Sequence, residues 1–290
     1  MPQPAANSQT LPLSLGDALK KQWPGFLLVA AALGFAYAAP VRSMVMDWFT
    51  DDNASHGFFV PLVACYLMWM QKARLAETQV APANVGLAVA LVAMIMLLLG
   101  GVASERYIVR VSLLIALAGC ILFWLGLDAL RKLLAPLCYL IFMIPLPAIV
   151  INAVTMPLKL LVSSVSVSIL RILQVPVLRE GNIILLPNLS LEVVEACSGL
   201  RSLESLLALA TAYSLMFMKS PVGRSILIVA ALPIAISANI VRVVTTGLLA
   251  HSYGPAAAQG FFHESAGLVV FAVAVAMLAG LHHLIRKHYP

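Results

Sequence analysis

Long stretches without a single charged residue constrain this chain more than any other feature of its sequence. Asp, Glu, Lys and Arg are absent from residues 78–104, 111–127, 133–158, 225–241 and 265–281. About 20 mostly apolar residues cross a bilayer, and their backbone must be helical because lipid offers it no hydrogen-bond partners. Only 10% of the residues are charged, whereas a soluble domain carries about 25%. The sequence therefore predicts an all-α polytopic membrane protein.

Apolar periodicity and charge together predict the number and direction of the spans. We expect about eight transmembrane helices, near residues 24–42, 57–71, 84–103, 108–127, 133–151, 199–217, 225–249 and 265–285. A cytoplasmic N-terminus places ten of the eighteen basic residues in short inner segments, together with only three of the twelve acidic ones. This arrangement satisfies the positive-inside rule, so both termini are predicted to be cytoplasmic. Because the basic residues lie at loop ends, the net charge of +6 does not indicate nucleic-acid binding.

Two regions do not read as simple spans. Residues 1–22 are rich in Pro, Gln and Ser, and we expect a disordered N-terminal tail before a single membrane domain over residues 23–290. Residues 155–173 mix leucines with serines and two basic residues, which favours an interfacial or re-entrant helix. Beyond it, Gly181, Asn182 and Pro187 separate short β-prone runs. This pattern predicts a small extracytoplasmic hairpin-like cap that leads to Cys197.

Cys197 is the cysteine whose surroundings suggest chemistry. It is expected at the outer membrane surface, just before a helix and one turn from Arg201, and both features favour a thiolate. Glu192 and Glu195 oppose that effect. The other three cysteines lie in apolar runs, where a thiol is usually buried and inert, and they are Cys65, Cys120 and Cys138. No pair has the spacing of a disulfide framework or a zinc site, so we expect no metal and no cofactor.

A nucleophilic thiol needs an acid or base partner, and an oxyanion needs hydrogen-bond donors. The predicted topology puts His56, His251 and His263 on the same side as Cys197, and spacing alone does not choose among them. Arg242 is expected about two turns inside the outer end of the seventh span. Asn239 lies three residues earlier, hence on the same helix face. Arg242 either reaches outward to the headgroups or, as intramembrane charges usually do, marks a functional site.

Three ordered motifs carry a family resemblance. They are Glu195-Ala-Cys197-Ser-Gly-Leu-Arg201-Ser, Ala238-Asn239-x-x-Arg242-Val and Phe262-His263-Glu-x-x-Gly267. Together with the early Ser55-His-Gly-Phe-Phe-Val-Pro61, they make the chain resemble the exosortase/archaeosortase family over roughly residues 20–285.

The resemblance implies a thiol protease or transpeptidase of the bacterial inner membrane, linked to exopolysaccharide-associated protein sorting. Its partners would be exported proteins with a C-terminal PEP-CTERM-type signal, which consists of a Pro-Glu-Pro motif, one apolar helix and a basic tail, and membrane lipids. By similarity, Cys197 is the nucleophile, Arg242 stabilises the transition state or the thiolate, and His263 is the acid/base at the periplasmic face. Four further residues are expected to support the site or bind substrate, namely Asn239, Arg201, Glu195 and His56.

Two other classes of function remain open from the residues alone. A polysaccharide or lipid transporter could use Arg242 and the outer histidines to line a path, although the chain shows no paired halves with matching broken segments. A non-catalytic envelope assembly factor would need Cys197 only for packing. Loss of activity on modification of Cys197 separates the protease from both.

Overall fold

The computed structural model describes residues 15–187, 189–192, 200–254 and 261–288. For residues 15–21, 189, 191, 192, 200, 201 and 261–266, it describes the backbone alone. The described chain is predominantly helical, which confirms the all-α polytopic class. Its ten helices are α1 (Leu15–Thr50), α2 (Phe59–Met70), α3 (Lys72–Ala76), α4 (Val85–Val102), α5 (Arg106–Leu125), α6 (Leu127–Tyr139), α7 (Ala148–Ile172), α8 (Leu200–Phe217), α9 (Pro221–Tyr253) and α10 (Phe261–Arg286).

Six of these helices contain a stretch that is long and apolar enough to cross a membrane. These stretches are Gln22–Thr50, Val85–Val102, Arg106–Leu125, Ala148–Ile172, Pro221–Tyr253 and Gly267–Arg286. Two shorter apolar stretches, Ser55–Met70 and Ser202–Phe217, complete a set of eight among the described residues. Helix α1 begins at Leu15, inside the stretch expected as a tail. The protein is thus a multi-pass membrane protein.

The fifth expected span, residues 133–151, differs in the structure. Helix α6 ends at Tyr139, a single 3-10 turn follows over Leu140–Met143, and α7 begins only at Ala148. Pro145 and Pro147 explain the break, because proline lacks an amide donor and disfavours helical backbone in the residue before it. Helix α7 then includes most of the segment expected to be interfacial. By length and composition, it could itself cross the membrane.

The predicted cap is present as a three-stranded antiparallel sheet in the order β1 (Leu178–Glu180), β2 (Ile183–Leu186), β3 (Leu189–Glu192). Gly181, with a φ of 64°, forms the tight turn between the first two strands, as the left-handed region favours glycine. The sheet is attached to α7, where Ser163 Oγ donates a hydrogen bond to Gly181 O at 3.1 Å. Ile184 of β2 is fully buried beside Val162 and Val243. These contacts hold the cap on α7 and α9.

The chain divides into two compact units. Among the described residues, unit 1 comprises residues 15–50 and 57–145, and unit 2 comprises residues 51–56 and those from 146 onward. The single membrane domain expected over residues 23–290 stays a prediction. A core of unit 2 lies where α8, α9 and α10 pack together, and its most buried members are Leu206, Ala210, Leu227 and Ala231.

Unit 1 contains a buried ion pair that the sequence analysis did not single out. The side chain of Arg110 on α5 is only 4% exposed, and its Nη2 donates to Asp47 Oδ2 on α1 at 2.5 Å. The same nitrogen donates to Ser43 Oγ at 3.2 Å. Arg106 also approaches Asp47, at 3.9 Å, but its side chain is 74% exposed. The two helices are therefore joined by a charge pair that lies mostly away from solvent.

Two of the three cysteines expected to be buried are exposed. Cys65 and Cys138 lie on outward-facing surfaces of their helices, and Cys120 is half-buried. The expectation was wrong for Cys65 and Cys138, because the apolar stretches that contain them do not distinguish a packed face from a lipid-facing one. Lipid is as apolar as a protein core, so a thiol is tolerated on either face.

We predict that Asp47→Asn destabilises unit 1 by about 3 kcal/mol, because it leaves the buried Arg110 guanidinium without its counter-charge. The measurement is the thermal unfolding midpoint of the purified protein in detergent. The matched control is Arg106→Gln, which removes an exposed partner of the same carboxylate and should cost less than about 1 kcal/mol. Equal effects of the two substitutions would contradict the prediction.

A second prediction concerns Gly57. A Cβ atom built there would overlap Trp48 Nε1, whose N–H donates to Met143 O at 2.9 Å. Gly57→Ala should displace the indole, break this hydrogen bond and destabilise the fold by about 1–3 kcal/mol. Gly101→Ala is the control, since a Cβ there meets no atom within 4 Å. The same unfolding measurement applies, and an unchanged midpoint for Gly57→Ala would refute the packing argument.

Candidate active site

Three mutually packed helices of unit 2 carry the motifs singled out in the sequence. Helix α9 packs against both α8 and α10, and α8 also contacts α10. Small residues in the core between them, Ala210 on α8, Ala231 on α9 and Ala274 on α10, are at most 2% exposed. Small side chains let membrane helices approach closely. The packing therefore brings together the helices that bear Arg242 and His263 and the helix that begins just after Cys197.

Arg242 lies on α9, eleven residues before the helix ends at Tyr253. This is about three turns from the end, one turn deeper than expected, because α9 continues past residue 249. Its side chain is half-buried, and that of Asn239 is buried. Both line one pocket, as their three-residue spacing predicted. The remaining lining residues are Ser202, Leu206, Ala235, Ala238, Gly267, Val270, Phe271 and Ala274.

The pocket is small and mainly apolar in its lining. Its free volume is about 10 Å³, which is roughly the room that one water molecule needs. The polar groups are few and come from different helices, with Ser202 on α8 and with Asn239 and Arg242 on α9.

At this pocket the Arg242 guanidinium of α9 lies beside Gly267 of α10. A Cβ atom built on Gly267 would lie 2.9 Å from Arg242 Nη2, 3.1 Å from Cζ and 3.5 Å from Nη1. All three atoms belong to the same planar group. The guanidinium of Arg242 therefore lies directly against the backbone of α10, in space that any side chain at Gly267 would occupy.

His263 belongs to the first turns of α10. The structure describes its backbone, while its side chain lies outside the described atoms. It precedes Gly267 by four residues, so the two positions share one face of the helix, about 6 Å apart along its axis. The α10 face that contacts the guanidinium is thus the face on which His263 is placed. His251, the alternative on α9, is exposed in the last turn of that helix.

Cys197 and Glu195 lie outside the described residues, and Arg201 is described by its backbone at the start of α8. Five residues after Cys197, Ser202 lines the pocket beside Arg242. Helix α8 begins at Leu200, so its first turn already contributes to this pocket. Where Cys197 itself lies stays a prediction.

His56 is not among the described residues that line this pocket. It lies in the 3-10 turn Ser55–Phe58, where its Nδ1 is 3.0 Å from the carbonyl oxygen of Asn53. Just before that turn, the Asp51 carboxylate accepts a hydrogen bond from the backbone N–H of Asn53 at 2.9 Å. The expected support by His56 is therefore not reflected in the lining of the pocket, and its role stays a prediction.

Sequence reasoning missed some residues around the site. Ser202 and Gly267 were noted as parts of motifs but were given no role, although both line the pocket. Glu204, three residues after Arg201 on α8, is not among the described residues that line the pocket. Its Oε1 is buried and has no hydrogen-bond partner among the described residues. Helical spacing could have placed Ser202 and Leu206 on one face of α8, but no local signal links Gly267 to Arg242.

The arrangement is suited to stabilising negative charge. A guanidinium carries five N–H donors in a fixed plane, and it keeps its charge in an apolar environment. Donors held in position in a pocket with little water stabilise a developing oxyanion more effectively than donors in solution. The described residues contain no group of three or more His, Cys, Asp or Glu side chains that could hold a metal ion.

Comparison with known proteins places the chain in a family. The family model described as transmembrane exosortase matches residues 48–280. The matched region contains every motif named above, from Ser55 to Gly267. Neither the curated proteins nor the solved structures include a match to this chain. Because the family model covers most of the sequence, the chain belongs to the transmembrane exosortase family.

Proposed function

We propose that this protein is a cysteine protease or transpeptidase that cleaves C-terminal PEP-CTERM-type sorting signals of exported proteins. The reaction takes place at the periplasmic face of the bacterial inner membrane, in the context of exopolysaccharide-associated protein sorting. The observation that carries the proposal is the Arg242 guanidinium, packed on α10 one turn from His263 in a pocket that Ser202 also lines. Membership of the exosortase family supports the same conclusion.

In the proposed reaction, the Cys197 thiolate attacks a peptide carbonyl near the Pro-Glu-Pro motif. The carbonyl oxygen becomes an oxyanion, to which Arg242 and Asn239 donate hydrogen bonds. As the C–N bond breaks, His263 gives a proton to the leaving amine, and a thioester remains on Cys197. An acceptor nucleophile or water then attacks the thioester, loses its proton to His263 and releases the thiolate.

The predicted topology suits such a substrate. A signal with an apolar helix and a basic tail would insert with the tail in the cytoplasm, following the same positive-inside rule as the enzyme. The bond before the helix would then lie just outside the membrane. A nucleophile that follows an extracytoplasmic cap and precedes α8 is expected at that level. The substrate helix and the surrounding lipids would be the partners of the enzyme in the membrane.

We predict that Cys197→Ala lowers processing at least about a thousand-fold, as expected for the loss of a covalent nucleophile, with unchanged protein levels in the membrane. The measurement is release of an exported reporter that carries the C-terminal signal. Cys65→Ala is the matched control, because that thiol is exposed on α2 of unit 1 and should leave processing intact. A transporter or assembly factor should tolerate Cys197→Ser, so continued processing in either Cys197 variant would refute the proposal.

We further predict that Arg242→Gln lowers kcat about a hundred- to a thousand-fold with little change in KM, because an oxyanion donor acts mainly in the transition state. Asn239→Ala should have a smaller effect in the same direction. The control is Arg131→Gln, whose side chain is 68% exposed and is paired with Asp128 at 3.8 Å. A raised KM with an unchanged kcat would instead identify Arg242 as a group that binds the substrate in its ground state.

A further inference from the structure

We propose that Gly267 is a positioning residue for the reaction: by having no side chain, it lets the backbone of α10 hold the Arg242 guanidinium one turn from His263. This inference rests on the proposed function, in which these two residues act on the same peptide bond. It adds a residue that contacts neither the peptide carbonyl nor the leaving amine.

The inference depends on how close the Arg242 guanidinium lies to Gly267. Three guanidinium atoms lie within 3.5 Å of the place where a Cβ would stand, and the nearest, Nη2, is at 2.9 Å. Real Cβ atoms essentially never come closer than 3.0 Å to such an atom. Because Cζ and both terminal nitrogens all lie near that position, the guanidinium fills the space that a side chain at Gly267 would take. Gly267 therefore leaves open the space that the charged group occupies.

This close fit between Gly267 and the guanidinium matters because an arginine side chain has many rotamers. Ordering a long side chain costs conformational entropy, and arginine is among the residues for which this cost is largest. A backbone surface that fits the guanidinium restricts these rotamers before substrate binds. Because His263 and Gly267 share a face of one rigid helix, the same contact also sets the distance between Arg242 and the His263 position.

A methyl group added at Gly267 should displace the Arg242 side chain without forcing the helices apart, as overpacking in a rigid core would. The nearest atoms are the far end of a flexible side chain, so the guanidinium can move while the helices stay in place. We therefore expect Gly267→Ala to fold and reach the membrane normally, with its unfolding midpoint close to that of the wild-type protein. The displaced guanidinium would then no longer meet the oxyanion in the right geometry.

The experiment compares Gly267→Ala with Gly280→Ala in the purified full-length protein, using the signal-bearing reporter as substrate. Gly280 lies on the same helix, and a Cβ there meets nothing within 4 Å. Gly267→Ala should lower kcat about ten- to a hundred-fold with KM within about two-fold, as for loss of transition-state alignment. Gly280→Ala should match the wild-type enzyme. Equal kcat values for the two alanine variants would overturn the inference.

A double-mutant cycle tests whether the effect acts through Arg242. If the methyl group works by displacing the guanidinium, then Gly267→Ala should cost little more once Arg242→Lys is present. The combined loss in kcat should therefore be close to that of Arg242→Lys alone. Independent, multiplying losses would show that Gly267 does not act through Arg242, and would overturn the inference.

A measurement independent of catalysis separates this inference from the proposed function. Phenylglyoxal modifies accessible guanidinium groups, and mass spectrometry of the peptide that contains residue 242 gives the rate for that site. The rate should rise several-fold in Gly267→Ala, stay at the wild-type value in Gly280→Ala, and vanish in Arg242→Lys. Equal modification rates in the two alanine variants would overturn the inference that Gly267 positions the Arg242 guanidinium. Processing that persists in Cys197→Ala would overturn the proposed function and leave this labelling result standing.

Discussion

The absence of water in the bilayer core governs where this protein can keep its polar groups. Backbone amides are satisfied within helices, and each charged side chain inside a helical stretch must find its interactions in the protein. Arg110 meets this requirement in unit 1 through Asp47 and Ser43. In unit 2, Arg242 lies against the backbone of α10 and beside the buried Asn239. The first arrangement joins two helices, whereas the second presents a cation at a pocket.

Other parts of unit 2 pack against the helix that carries this cation. Ile184 of the cap is buried beside Val243, the residue that follows Arg242 in the sequence, so the sheet is anchored on α9 at the level of the pocket. On the opposite side, Ala231 and Ala274 keep α9 and α10 close enough for Gly267 to contact the guanidinium. The segment that leaves the cap at Glu192 continues to Cys197 and then α8. The cap thus connects the helix that bears Arg242 with the chain that bears the thiol.

Several sequence-based expectations hold because they depend on local physics. The apolar stretches form helices, and the turn residues between short β-prone runs form the hairpin, with one strand more than expected. Others fail where two local signals compete. Pro145 and Pro147 divide the apolar run at 133–151, because a proline's missing donor outweighs hydropathy within a helix. Exposure of Cys65 and Cys138 was also not predictable, since lipid and core are equally apolar.

The sequence by itself determined the membrane class, the approximate spans, the face shared by Asn239 and Arg242, and the motifs by which the family is identified. These depend on hydropathy and on the fixed spacing of an α-helix, which act over a few residues. Only the tertiary structure decided that Gly267 lies under the Arg242 guanidinium and that Ser202 lines the same pocket, as it also decided the pairing of Arg110 with Asp47. Such contacts join separate helices, and their register depends on how side chains of different sizes pack together, which no local pattern encodes.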